Sequence, residues 1–134
     1  MNKHIHKHIH KHIAVLALAG AIAAASGPAV AAGDDHKPLH GGVFVEGKQA
    51  DFELVATPGL LQLYVRDHGK SRDLSKASAK LTLLAGTDKQ DIELKPAGDK
   101  LEATGNFKTA AGTKAVVVLR IDGKPASTAR FTLR

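Results

Sequence analysis

The chain has 134 residues, with 19 Lys and Arg against 13 Asp and Glu, a formal charge of +6, and no cysteine. The absence of cysteine excludes both a disulfide framework and thiolate chemistry. Four Phe, one Tyr and no Trp leave too few rings for a single-strand nucleic-acid platform.

Lys3, Lys7 and Lys11 give the chain a basic start, Ile13 to Ala25 is apolar apart from Gly20, and Ala29-Val30-Ala31 supplies an A-x-A pattern. That order of parts is the layout of a secretory signal peptide. The apolar run is shorter than the ~20 residues a membrane-spanning helix needs. Residues 1–32 are therefore expected to be removed on export, and no membrane span is expected in the mature protein. Three lysines leave with the signal, so 16 basic residues face 13 acidic ones and the formal charge falls to +3. The remaining charges are mixed in sign along the chain, as on an ordinary soluble surface, and nucleic acid is not an expected partner. The expected location is the periplasm, with full secretion the alternative. A mature chain of about 100 residues can bury one core but not two, which predicts a single domain, expected to be a monomer.

From residue 43 onward the pattern is two-residue alternation, the signature of half-buried strands. Val43–Glu46 is a short candidate. Phe52, Leu54 and Ala56 alternate with Asp51, Glu53 and Val55, and Leu61, Leu63 and Val65 with Gln62, Tyr64 and Arg66. A polar connection from Gly69 to Ser78 follows, long enough to cross between sheets. Leu81, Leu83 and Ala85 then form an apolar side, followed by Ile92 and Leu94, and a short candidate lies at Leu101–Phe107. Ala115, Val117, Leu119 and Ile121 mark a long strand, and Ala129, Phe131 and Leu133 the last one. Pro58-Gly59, Gly86-Thr87-Asp88, Gly98-Asp99, Gly112 and Asp122-Gly123 supply turn chemistry at the junctions, and Asp122-Gly123 predicts a tight hairpin. Seven or eight strands, each with one apolar face, fit an all-β, antiparallel immunoglobulin-like β-sandwich better than a small closed barrel. The expected organisation is a signal peptide at 1–32, a flexible His- and Asp-containing segment at 33–42, and the sandwich at 43–134.

Five of the eight histidines, His4, His6, His8, His10 and His12, alternate through the expected signal. Such a tract can bind metal, but removal with the signal would leave it no role in the mature protein. The other three are His36, His40 and His68. His36 and His40 lie in Asp34-Asp35-His36-Lys37-Pro38-Leu39-His40-Gly41-Gly42, where Pro38 and the glycines forbid a helix. Imidazole and carboxylate together suit Zn, Cu, Ni or Co ions, so Asp34, Asp35, His36 and His40 are candidate metal ligands. His68, in the Asp67-His68-Gly69-Lys70 turn, is a third imidazole if that turn comes close. The plainer reading makes all three histidines exposed polar residues. A cut after Gly33 would place histidine third in the mature chain, a nitrogen set suited to square-planar Cu²⁺ or Ni²⁺.

His40-Gly41-Gly42 before a strand, then Ala50-Asp51-Phe52-Glu53-Leu54-Val55, Leu61-Gln62-Leu63-Tyr64-Val65, the Asp67–Lys70 turn and Ala129-Arg130-Phe131 resemble a small β-sandwich module. A similar module occurs near the N-terminus of some periplasmic adaptor subunits of heavy-metal efflux pumps of the cobalt-zinc-cadmium type. The resemblance spans nearly the whole mature chain and implies a periplasmic domain associated with metal resistance. It carries only His40 across as a ligand. The coiled-coil hairpin, lipoyl and barrel segments of an adaptor are absent from this sequence, so the module would stand alone.

Two binding roles compete. One is transition-metal binding or handling linked to efflux and resistance, at His36 and His40 with Asp34, Asp35 and His68. The alternative is a metal-free envelope interaction module, for which Tyr64, Arg66 and Arg72 are the anchor-type residues. An enzyme is not expected. No serine has G-x-S-x-G context, no glycine-rich phosphate loop precedes a helix, and Asp51 and Glu53 read as a strand's solvated face.

Overall fold

The computed structural model describes residues 36–134. The expected signal peptide, its histidine tract, and Asp34 and Asp35 lie outside the described residues. The described chain is all-β, with nine strands: β1 Val43–Glu46, β2 Asp51–Thr57, β3 Leu60–Asp67, β4 Lys70–Ser71, β5 Ala77–Ala85, β6 Asp88–Ala97, β7 Lys100–Thr104, β8 Lys114–Ile121 and β9 Ser127–Thr132. Eight of these match the alternating runs. The ninth, β4, is a two-residue return from β3 and is too short to carry a period of its own.

All pairings are antiparallel, in the order β1-β2-β3-β7-β6-β5-β8-β9, with β4 on β3 beyond the end of β7. The sheet folds back on itself at β6. Residues Asp88 to Leu94 pair with β5, whereas Lys95 to Ala97 pair with β7. At the other corner β1 comes alongside β9. The result is an antiparallel sandwich whose two leaves share one strand and nearly close.

The alternation explains the core. Phe52, Leu54, Leu61, Leu63, Val65, Leu81, Leu83, Leu94, Leu101, Ala115, Val117, Leu119, Ala129, Phe131 and Leu133 are all buried. Ala56, Ile92 and Ile121 are half-buried and pack against that core. Leu74 is buried too, although it lies in no strand. It sits on the connection that crosses from β4 to β5, whose backbone is fixed by Arg72 N–H donating to Val65 O (2.9 Å) and Ala77 N–H to Leu74 O (3.0 Å).

Four hairpins close through two residues, at Pro58-Gly59, His68-Gly69, Gly86-Thr87 and Gly98-Asp99. Asp122-Gly123 forms a tight turn, with Lys124 N–H donating to Ile121 O, but the β8–β9 ladder ends at Leu119 and Ser127. The connection is therefore wider than a two-residue hairpin, because the end of β8 stays paired with Ala77 and Ser78 of β5. Phe107 lies past the end of β7, its N–H donating to Pro58 O (2.8 Å).

Candidate functional site

The register of β1, β2 and β3 sets two rows of side chains on the outer face of one leaf. Glu46, Asp51 and Arg66 share one row, and Phe44, Glu53 and Tyr64 the next. Residues 36–42 cross over these rows before the chain turns into β1. Two glycines permit this route. Gly41 has φ +76°, and a Cβ on Gly42 would collide with the Leu54 carbonyl, so the backbone can press on β2 only without a side chain there.

Glu53 holds the crossing segment down. Its Oε1 accepts from the N–H groups of His40 (2.7 Å) and Gly42 (3.0 Å), and its Oε2 accepts from Leu39 N–H (2.9 Å). The same Oε2 lies 2.9 Å from His40 Nδ1. Expected as a solvated surface residue, Glu53 is instead only 1% exposed, because the crossing backbone covers it. Burial works to raise its pKa, but the hydrogen bonds from the His40 ring and from the Leu39, Gly42 and His40 amides outweigh it. The carboxyl is held below its ordinary value and remains ionised at neutral pH.

An ionised carboxylate can only accept, so the proton of a neutral His40 ring belongs on Nδ1 and the lone pair on Nε2. The ring also stacks on Tyr64, centroids 3.5 Å apart and planes within 5°. Lys100 Nζ approaches the same Tyr64 ring, 5.8 Å from its centroid. One row away, the Arg66 guanidinium donates to Lys37 O and sits 5.1 Å from the Phe44 ring centroid, a cation–π contact. Arg66 is almost as buried as Glu53, and the same segment covers both.

The sequence-predicted candidates occupy three separate places. His36 lies at the Glu46–Asp51 row, its Nδ1 3.1 Å from Glu46 Oε1 and 3.8 Å from Asp51 Oδ2. His40 is one row inboard on Glu53. His68 is at the tip of the β3–β4 hairpin with φ +49°, a left-handed conformation in which His is among the enriched non-glycine residues. Its ring is solvent-exposed, and its Nδ1 lies 2.6 Å from Asp67 Oδ1. Among the described residues, no three His, Cys, Asp or Glu side chains form a group that could hold a metal ion.

Sequence reasoning missed Glu53 as a partner of His40, and Glu46 and Asp51 as partners of His36. Alternation puts all three carboxylates on the polar face, and nothing in a period-2 pattern says that the preceding segment, residues 36–42, lies across that face. The one available signal was His40-Gly41-Gly42, whose paired glycines mark a close backbone approach.

No family model and no curated protein matches the chain. Among solved structures it is similar to a Br derivative of BhCBM56, a carbohydrate-binding module, with 8% identity and a TM-score of 0.41. That likeness covers 68% of this chain and 99% of the other, and it carries no argument about function.

Proposed function

We propose that this is an exported, non-catalytic binding domain that handles a transition-metal ion in the periplasm, in association with metal efflux or resistance. The observation that carries this reading is the His40 Nδ1 contact with Glu53. Metal-ligating imidazoles almost always donate their second nitrogen to a carboxylate or carbonyl, which fixes the tautomer and raises the basicity of the ligating nitrogen. His40 has that partner, and the partner is buried and ionised. His36 and the adjoining Asp34 and Asp35 are the further donors that the sequence puts within six residues of His40. Imidazole and carboxylate donors without sulfur suit Zn, Cu²⁺, Ni or Co. An open donor set on a surface segment fits buffering or transfer better than permanent structural binding.

Tyr64 provides the test, because it is the one tyrosine in a chain without tryptophan and it stacks on His40. With the N-terminus of the exported chain set by mass spectrometry, Cu²⁺ is expected to quench tyrosine emission saturably. Zn²⁺ should shift the His36 and His40 resonances. His40→Ala should abolish both responses and His68→Ala neither. No response near micromolar metal, roughly −8 kcal/mol of binding, refutes the reading.

A metal-free interaction module is the second reading, favoured by the placement of Tyr64, Arg66 and Phe44 on one face of the sheet. Aromatic and Arg side chains of this kind anchor protein interfaces. A negative metal titration together with capture of an envelope protein that Arg66→Ala abolishes would select it.

A further inference from the structure

We propose that Glu53 is a positioning residue that ties the seating of residues 39–42 to the tautomer of His40, so that lifting this segment releases the ion. The proposal rests on the metal reading for its last step, while the coupling of segment to tautomer stands on geometry alone.

The inventory of the Glu53 carboxylate is complete. It has about four lone-pair sites, and four donors occupy them: His40 and Gly42 N–H on Oε1, Leu39 N–H and His40 Nδ1 on Oε2. Three belong to the backbone of the crossing segment and the fourth to a side chain on it. Water has no room to replace any of them singly, since Glu53 is 1% exposed, with Phe44 and Tyr64 as its cross-strand neighbours. The four bonds therefore form and break as one unit. Seated, the segment gives a neutral His40 ring an acceptor for a proton on Nδ1 and leaves Nε2 to ligate. Lifted, the ring loses Nδ1's acceptor and its stack on Tyr64, and the proton can reside on either nitrogen. Linkage makes the effect reciprocal: whatever factor seating adds to metal affinity, the metal adds to seating.

Glu46 and Asp51 do not substitute for Glu53. They lie one row away, where His36 Nδ1 meets them, and neither touches a segment amide at 39–42. Aspartate at position 53 would be one methylene too short to reach all four donors from the same backbone. Glutamine is the informative replacement because it keeps the shape and exchanges one acceptor oxygen for an NH₂ donor. Its oxygen can still accept from His40 and Gly42 N–H. Its NH₂ must then donate to His40 Nδ1, which drives the ring proton to Nε2 and leaves Leu39 N–H without an acceptor.

The experiment is ¹⁵N NMR of the His40 ring in the exported, metal-free protein, for the parent and Glu53→Gln. The parent should carry its proton on Nδ1 and the variant on Nε2, with faster hydrogen exchange at Leu39. Zn²⁺ affinity should fall 10- to 100-fold, the usual cost of losing an outer-sphere partner. A purely structural Glu53 would change exchange and thermal midpoint without inverting the tautomer, and that outcome overturns the proposal. If Glu53→Gln does not fold, the parent alone decides: a proton on Nε2, or Leu39 and Gly42 exchange unaffected by saturating Zn²⁺, refutes it. Inversion of the tautomer in a chain that takes up no Zn²⁺ supports the positioning role and overturns the release step together with the metal reading.

Discussion

Replacing Leu74 with alanine tests whether the crossover between the two leaves is a structural element or only a connection. Leu74 lies between β4 and β5, outside every strand, yet it is 1% exposed and belongs to the hydrophobic core of the described residues. Removing three carbons from a buried side chain forfeits roughly 2.4 kcal/mol at about 0.8 per methylene. The cavity left behind brings the usual range for buried Leu→Ala to about 2–5 kcal/mol. For a domain of this size each kcal/mol lowers the thermal midpoint by about 4–8 °C, so a drop of roughly 8–40 °C is expected. The assay is thermal and urea unfolding followed by circular dichroism, with Leu84→Ala as the control, since Leu84 is 39% exposed on a strand. The strand residue should be nearly silent and the connection residue costly. If Leu74→Ala unfolds within a degree or two of Leu84→Ala, the connection does not hold the two leaves together and the reasoning fails.

Val117→Asp should leave the protein unfolded or severely destabilised by circular dichroism, because Val117 is fully buried between Leu81 and Ala129 and the variant buries an unpaired charge. Gly42→Ala should detach residues 36–42, seen as loss of the Tyr64–His40 contact in nuclear Overhauser spectra, while the core amides stay protected; an intact contact would show that β2 tolerates a Cβ there. Stability should be flat from neutral pH to about pH 5 and fall at lower pH, because the Glu53 carboxyl is held below its ordinary 4.5 and its contribution is lost as pH drops through the native value. Urea midpoints measured against pH check this, and Glu53→Gln should remove part of the acid slope; an unchanged slope would mean that other carboxylates set it.

The fold was largely legible because a half-buried strand writes itself in every second residue. Phe52 and Leu54, Leu61 to Val65, Leu81 and Leu83, and Ala115 to Leu119 declared their inward faces without reference to any partner. The two-residue turns at Pro58-Gly59 and Gly98-Asp99 were equally local, since backbone conformation there depends on the turn residues themselves. Leu74 was illegible for the complementary reason. A single leucine among Arg72, Asp73, Ser75 and Lys76 has no period, and only the crossing of the chain between leaves carries it inward. The same holds for β4, whose two residues are a strand solely because β3 offers an edge beyond the end of β7.

The candidate site divides along the same line. Local chemistry nominated His36, His40 and His68 as imidazoles near carboxylates, and the paired glycines at 41 and 42 marked an unusual backbone. Which carboxylate serves which imidazole was decided by register and by the crossing segment. Glu53 lies 13 residues from His40 in the chain and meets it only because β1 pairs back along β2, bringing residues 39–42 over the outer face. His68 found its acceptor in Asp67, its own neighbour in sequence, and so remained a turn residue. Alternation is a property of one strand and survives in the sequence. Burial of a polar face needs a second segment laid across it, and that is a property of the tertiary structure alone.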